Sequence, residues 1–310
     1  MLARAAESMF WLARYMERMD NVARLVEAAQ SMSGMSEAAD EWRSALIASG
    51  CEAGYVEKYK ELTQDAALLY LASDPDNASS ILSCLDHART NARAMRTALT
   101  SDMWDAVNAS WLDARRLTPD DFTPGRIGET IDWVKTVGTR FYGAYAGTML
   151  RNEIYWFTRL GTFIERADNT ARILDVKYHL LLPRDEGVGG AVDYYQWTSI
   201  LRAVSAVRAY QAVYRTEVKP WNIADLLMLR PEMPRSLRAC YDNIEEALEQ
   251  ITETHGGRRG ECHRLAGSIA AGLRYGRIDD VFARGLHETL TELIDSTAQL
   301  GLELSAFYMR

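Results

Sequence analysis

The sequence predicts an all-α protein, a large bundle of about ten helices built from two duplicated halves with approximate two-fold symmetry. Three observations carry this: where the prolines fall, a 3.6-residue apolar period, and an internal repeat. The seven prolines leave three long proline-free spans, 1–74, 125–182 and 235–310. Each is rich in Ala, Leu, Arg, Glu and Met, the residues that lose least on entering a helix. Sustained two-residue alternation of β-branched residues is missing, as is an Asn-Gly hairpin turn, so strands are not expected.

The first helix is read from Leu12, Met16, Met19, Ala23 and Val26, whose steps of 4, 3, 4 and 3 place them on one face. After Asp74-Pro75 the pattern returns with Leu85, Ala88, Ala92, Met95 and Leu99. Ser79 or Ser80 ahead of it is placed to cap the helix, because a hydroxyl accepts a free first-turn N–H. Thr148–Leu182 reads as one continuous helix across the middle of the chain. Breaks are expected at Ser31–Ser36, Ser73–Asn77, Leu117–Gly125, Pro183–Gly190, Lys219–Pro220, Arg230–Pro234 and Gly256–Gly260.

Residues 11–26 (WLARYMERMDNVARLV) align with 159–174 (RLGTFIERADNTARIL) at a shift of 148. Trp42, Leu46, Tyr55 and Tyr59 meet Trp197, Leu201, Tyr210 and Tyr214 at 155, and Pro75, Ser80 and Cys84 meet Pro231, Ser236 and Cys240 at 156. The growth between the first two shifts matches the glycine-bearing stretch Arg184–Gly190. Three anchors in one order indicate pseudo-repeats of roughly 1–147 and 148–310 fused into a single domain, 1–310.

Charge and cysteine usage narrow the function. With 35 Lys plus Arg against 43 Asp plus Glu, the formal charge is −8, and no overall positive field draws in nucleic acid. No apolar run approaches the ~20 residues needed to cross a bilayer. The first residues mix charges of both signs, unlike a signal or transit peptide. Cys51, Cys84, Cys240 and Cys262 are scattered without a CxxC pair, so neither a zinc site nor a disulfide scaffold is expected, and a reducing cytoplasm is.

Both copies of the first anchor carry E-R-x-D-N-x-x-R. At about 100° per residue, Glu17, Asn21 and Arg24 share a flank with Asp20. Arg18 falls on the far side of the polar arc beside Arg14, outside that cluster. The second copy repeats the stripe with Glu165, Asp168, Asn169 and Arg172, but has Thr162 where the first has Arg14. One reading is a helix-surface charge ladder or a polar seam where the repeat helices cross. The other is a recognition site in which Arg24 and Arg172, fixed by Glu17 and Glu165, surround a carboxylate, amide or phosphate, a task that suits the planar guanidinium.

The segments WLARYMERMDNVAR, RLGTFIERADNTAR and SSILSCLDHARTNAR resemble the bacterial alpha-E family, named for its helices and its Glu-Arg motif, over nearly the whole chain. The resemblance implies an all-helical protein whose motif residues are Glu17, Arg18, Glu165 and Arg166. It also implies company: a circularly permuted ATP-grasp protein, transglutaminase-like proteins and a proteasome-related peptidase. From that company follows a part in ATP-dependent amide-bond formation on a small peptide, with ATP and magnesium on the partner and no cofactor in this chain.

Arg89, Arg93 and Arg96, spaced 4 and 3, form a basic ridge. The 156 shift sets Glu245 and Glu249 against Arg89 and Arg93. Either the two duplicated helices face one another and pair, or the ridge binds an acidic partner or an anionic substrate. The remaining polar residues suggest no chemistry. Cys84 with His87 lacks a third metal ligand, and Cys262 and His263 are expected to diverge on a helix. His179, His255 and His287 stand alone, with His287-Glu288 no stronger than a surface pair. Gly189-Gly190 and Gly256-Gly257 lack the Lys-Ser/Thr of a phosphate loop. Trp11, Trp42, Tyr55, Tyr59, Trp197, Tyr210 and Tyr214 fall at helical intervals as core or seam residues, some lining a groove.

Three functions fit: an accessory or substrate-binding subunit of an ATP-grasp ligase, a stand-alone amide-forming transferase with Glu17 or Glu165 as general base, and a purely structural helical protein. A glutamate base needs a raised pKa while the adjacent arginine lowers it, which favours binding over base catalysis. The acidic, helical surface permits a homodimer.

Overall fold

The computed structural model describes residues 3–32, 38–180 and 191–309, and among them all regular structure is helical. Among the described residues there are fifteen α-helices rather than about ten, with one short 3-10 turn at Pro119–Phe122. In the first half run α1 (Ala3–Met32), α2 (Ala38–Ala48), α3 (Glu52–Lys58), α4 (Gln64–Ala72), α5 (Ile81–Ala94), α6 (Ser101–Ala114) and α7 (Ile127–Thr148). The second half has α8 (Glu153–Leu180), α9 (Ala191–Ala203), α10 (Val207–Tyr214), α11 (Pro220–Leu229), α12 (Leu237–Thr254), α13 (Glu261–Tyr275), α14 (Ile278–Arg284) and α15 (Leu286–Tyr308).

The extra helices arise where the chain turns without proline. Gly50 (φ +69°) divides α2 from α3, and Gly285 (φ +108°) alone separates α14 from α15. The continuous helix expected over Thr148–Leu182 is broken at Met149–Asn152. There the Asn152 carboxamide oxygen accepts the backbone N–H groups of Ile154 and Tyr155 and so starts α8. The break expected at Pro183–Gly190, the glycine-bearing stretch within it, most of Ser31–Ser36 and the side chain of His179 lie outside the described residues.

The core is built around α1 and α8, which pack on each other. Helix α1 also packs on α5 and α7, and α8 on α12 and α15. Outer contacts repeat in the same order: α5 with α6 and α6 with α7, then α12 with α13 and α13 with α15. The predicted apolar stripe of Leu12, Met16, Met19, Ala23 and Val26 is fully buried, and one cluster of buried side chains includes residues of both halves. Local details recur too. Ser80 caps α5 through the Ser83 N–H, as Ser236 caps α12 through the Ala239 N–H. Tyr55 and Tyr210 each donate to a loop carbonyl, of Glu61 and Glu217, and accept a backbone N–H, of Thr63 and Lys219.

Where α1 and α8 approach, Gly161 is required by space. A Cβ there would lie 2.2 Å from the Phe10 carbonyl oxygen, inside any allowed contact. That approach brings the two Glu-Arg motifs together.

Candidate functional site

The two motifs pair crosswise. Glu17 accepts both Nε (2.9 Å) and Nη2 (2.8 Å) of Arg166, and Glu165 accepts Nε (2.6 Å) and Nη2 (3.1 Å) of Arg18. Arg18 therefore belongs to a charge cluster after all, but to that of the other helix: the side of α1 it occupies faces α8. Each aspartate holds its own helix's arginine one turn on, Asp20 with Arg24 (2.7 Å) and Asp168 with Arg172 (2.8 Å). The aspartates, not the glutamates, thus fix Arg24 and Arg172.

Beyond this shared plan the two nodes differ. At the first, Tyr142 of α7 donates its hydroxyl to Glu17, and Arg235 bridges Glu17 (2.8 Å) and Asp20 (2.8 Å). The Glu17 side chain has no exposed surface, and Arg166 and Arg235 are only 12% and 13% exposed. Burial alone would raise the Glu17 pKa. The guanidiniums of Arg166 and Arg235, with the Tyr142 hydroxyl, outweigh it and hold the carboxyl well below its usual range. At this node both oxygens of Glu17 are taken and its side chain is shut off from solvent.

The second node opens on a cavity of about 510 Å3. Glu165 holds Arg14 (2.6 Å) together with Arg18, and these two arginines and Arg172 reach the cavity with side chains 17%, 23% and 32% exposed. Against the raising effect of burial, Arg14 and Arg18 keep the Glu165 carboxyl low, whereas burial outweighs Arg172 at Asp168 and pushes that carboxyl up. Asn21 and Asn169 both line the cavity, and the buried Nδ2 of Asn169 has no hydrogen-bond partner. That nitrogen is an unsatisfied donor sealed behind the cavity wall rather than exposed to its interior.

The reason for the difference is written in the repeat. Ile127-Gly-Glu-Thr-Ile131 at the start of α7 matches Leu286-His-Glu-Thr-Leu290 at the start of α15 at a shift of 159. Tyr142 then corresponds to Gly301, whose missing Cβ would stand 4.0 Å from Arg14 Nη1 at the cavity wall. At the 156 shift Arg235 corresponds to Ser79, which also lines the cavity. Two large side chains fill the first node, and a glycine and a serine leave the second empty. Thr162, in the place equivalent to Arg14, is buried with its hydroxyl unpartnered.

The site residues expected from sequence therefore separate. Glu165, Arg18, Asn21, Asn169 and Arg172 share the open node, whereas Glu17 and Arg166 form the closed one. Arg24 does not join Arg172 around a ligand. Its Nη1 donates to Ser205 (2.5 Å), before α10. Tyr142, Arg235, Ser79 and Gly301 were not expected as site residues, although the match of α7 with α15 marks two of them.

The basic ridge also differs from expectation. Arg96 lies beyond the end of α5, and the ridge does not pair with α12. Arg89 donates to Asn108 (3.1 Å) and stacks 3.7 Å from the Trp111 ring centroid, Arg96 lies over Trp104 at 4.7 Å, and Arg93 is exposed. Glu245 and Glu249 are taken instead by Arg274 (2.7 Å) and Arg259 (2.6 Å), because each duplicated helix packs on its own successor.

Cys262 and His263 do not diverge: Sγ and Nδ1 are 3.4 Å apart. The pair is nonetheless structural. Burial pushes the thiol up to about 11, and the imidazole accepts the Gly260 N–H and contacts Thr252 and Tyr308. Cys84 and Cys240 are buried equivalents beside Arg18 and Arg166, each raised by burial to about 12. His287 bonds Asp175 (2.5 Å). Among the described residues no group of three or more His, Cys, Asp or Glu is placed to hold a metal, and no helix is long and apolar enough to cross a membrane.

Comparison with curated proteins and with solved structures gives no match. A family model does match, over residues 1–309, and describes Alpha-E as a predicted alpha-helical domain with a conserved ER motif. The chain's own Glu-Arg pairs, Glu17-Arg18 and Glu165-Arg166, bind each other across the α1–α8 contact, and the chain belongs to the Alpha-E family.

Proposed function

We propose that the protein is a substrate-binding subunit that holds a carboxylate-bearing ligand in the open Glu-Arg node and presents it to a circularly permuted ATP-grasp ligase for amide-bond formation on a small peptide, in the cytoplasm. The observation that carries the reading is the convergence of Arg14, Arg18 and Arg172 on one cavity, with the Asn169 amide unpaired beside them. Three guanidiniums against the carboxylates of Glu165 and Asp168 leave one positive charge for an anion when both acids are ionised. Arginine matches a carboxylate bidentately and stays charged when desolvated. Amide ligation consumes a carboxylate, so a subunit that orients one serves that reaction, with ATP and magnesium held by the partner.

The ridge of Arg89, Arg93 and Arg96 is the face we assign to an acidic segment of that ligase. Its guanidiniums on the indoles of Trp104 and Trp111 are fixed in place without carboxylate partners among the described residues, which leaves their charge for an incoming chain.

A stand-alone transferase is less well supported. Glu17 has both oxygens occupied and no exposed surface, and Glu165 is held low by two arginines. Neither carboxylate is poised to accept a proton near neutral pH. ATP turnover by the ligase on a peptide panel, followed with and without this chain and with its Arg14→Ala variant, tests the assignment. Stimulation by the wild type and not by the variant is expected. A ligase equally active without the chain overturns it.

A further inference from the structure

The closed node shows what a fully satisfied Glu-Asp pair accepts in this fold. Asp20 takes Nε (2.7 Å) and Nη2 (3.2 Å) of Arg24, and a third donor, Nη2 of Arg235 (2.8 Å), from outside its own helix. At the open node Asp168 accepts, among the described residues, only Nε of Arg172 (2.8 Å). Arg14 supplies the second guanidinium on Glu165 but does not reach across to Asp168 as Arg235 reaches Asp20. With Ser79 in the place of Arg235, the cation that would face Asp168 is missing. The carboxyl is left with one donor in a largely buried place, and its upward shift reflects that poverty.

The same cavity has donors to spare. Neither Nη of Arg14 or of Arg172 bonds a described protein acceptor, and the Asn169 Nδ2 is buried and unpartnered. The free space thus has an acid in need of a cation and, beside it, guanidinium donors in need of an anion. Resting on the carboxylate-holding assignment above, we propose that the open node takes a compact zwitterion, the head group of a free α-amino acid. Its ammonium sits on Asp168 where the closed node has Arg235, and its carboxylate sits on the Nη groups of Arg14 and Arg172. Trp11, Leu302 and Met309 on the cavity wall give its side chain an apolar surface.

A simple anion site would need only the arginines, and a simple cation site would not hold three of them. The test is calorimetric titration of the full chain with the twenty L-amino acids, and with the N-acetyl and the amide derivatives of whichever binds. Binding of one or more free amino acids is expected, with each single-charge derivative weaker by at least about tenfold, since each loses a charge-assisted contact. The Asp168→Asn variant, isosteric and checked for an unchanged melting temperature, is expected to lose the preference for the free amine over its N-acetyl form. N-acetyl derivatives that bind as tightly as the parent amino acids overturn the zwitterion while leaving a carboxylate site. If Asp168→Asn melts early, the wild-type comparison of free and derivatised ligands decides alone. A panel in which no carboxylate binds overturns both.

Discussion

Tyr142 and Gly301 occupy equivalent turns of α7 and α15, and between them they decide which Glu-Arg node is filled. The phenol reaches Glu17 at one node, and at the other the absent side chain leaves room beside Arg14. Gly301→Tyr is therefore expected to occlude the cavity and abolish ligand binding while the helix persists. Tyrosine is a better helix former than glycine, and a Cβ there meets only Arg14 Nη1, at 4.0 Å. Unaltered binding in titration calorimetry, with the fold checked by circular dichroism, would count against the filled-versus-open account.

The two motif glutamates should differ in their importance to stability. Glu17→Gln leaves the buried Arg166 without its counter-charge and Arg235 with Asp20 alone, a loss of about 3–5 kcal/mol by analogy with broken buried pairs. Glu165→Gln is expected to cost less, because solvent reaches Arg14 and Arg18. Urea unfolding of both variants checks the order, and equal losses contradict it. Tyr142→Phe, which removes one hydrogen bond to a buried charge, should cost about 1.5–3 kcal/mol.

Acid should weaken the fold through these same groups. Glu17 and Glu165 have folded-state pKa values below their unfolded ones, so the folded state binds fewer protons. Their contribution is complete above the unfolded carboxylate pKa, about 4.3, and is lost as pH falls below it. Asp168 has the opposite sign, its raised pKa favouring the protonated folded form. Glu17 is held furthest from its unfolded value, so melting temperature should fall on going from pH 6 to pH 3. Replacing Asp168 by Asn should make that fall steeper, as a pH series of melts on both proteins would show.

Gly161→Ala places a methyl carbon 2.2 Å from the Phe10 carbonyl oxygen. Backbone cannot yield as a side-chain tip does, so α1 and α8 must separate, with a cost of about 1–3 kcal/mol or more. Thermal melts that match wild type would show that the two helices have slack at this point.

Cys84 and Cys240 are fully buried, and their thiols are raised to about 12. Neither should react with iodoacetamide at neutral pH until the protein unfolds. Mass spectrometry after native and denaturing labelling would reveal any early modification.

How much of this was legible in the sequence follows from the range of each interaction. The apolar stripe of α1 and the cap at Ser80 were readable because helical period and capping are local. The matching segments were readable because identical residues recur at fixed shifts. Arg18 was misplaced, since a helical wheel shows a residue's direction but not the neighbour it will meet, and its neighbour is 147 positions away. Helix boundaries were missed where a glycine or an asparagine cap, rather than proline, ends the run, as at Gly285 and Asn152. The open node was hidden for a different reason. It depends on Ser79 and Gly301, small residues whose importance lies in what they fail to fill, and only the larger equivalents Arg235 and Tyr142 make that visible.

The crosswise pairing of Glu17 with Arg166 and Glu165 with Arg18 has a consequence for ancestry. Neither half-gene, expressed by itself, encodes the counter-ion its own buried glutamate needs. A lone half would have to associate with a second copy to neutralise that carboxylate, as a symmetric dimer of short chains. One vault could be sealed with bulky side chains to anchor the molecule, and its twin left hollow for a guest.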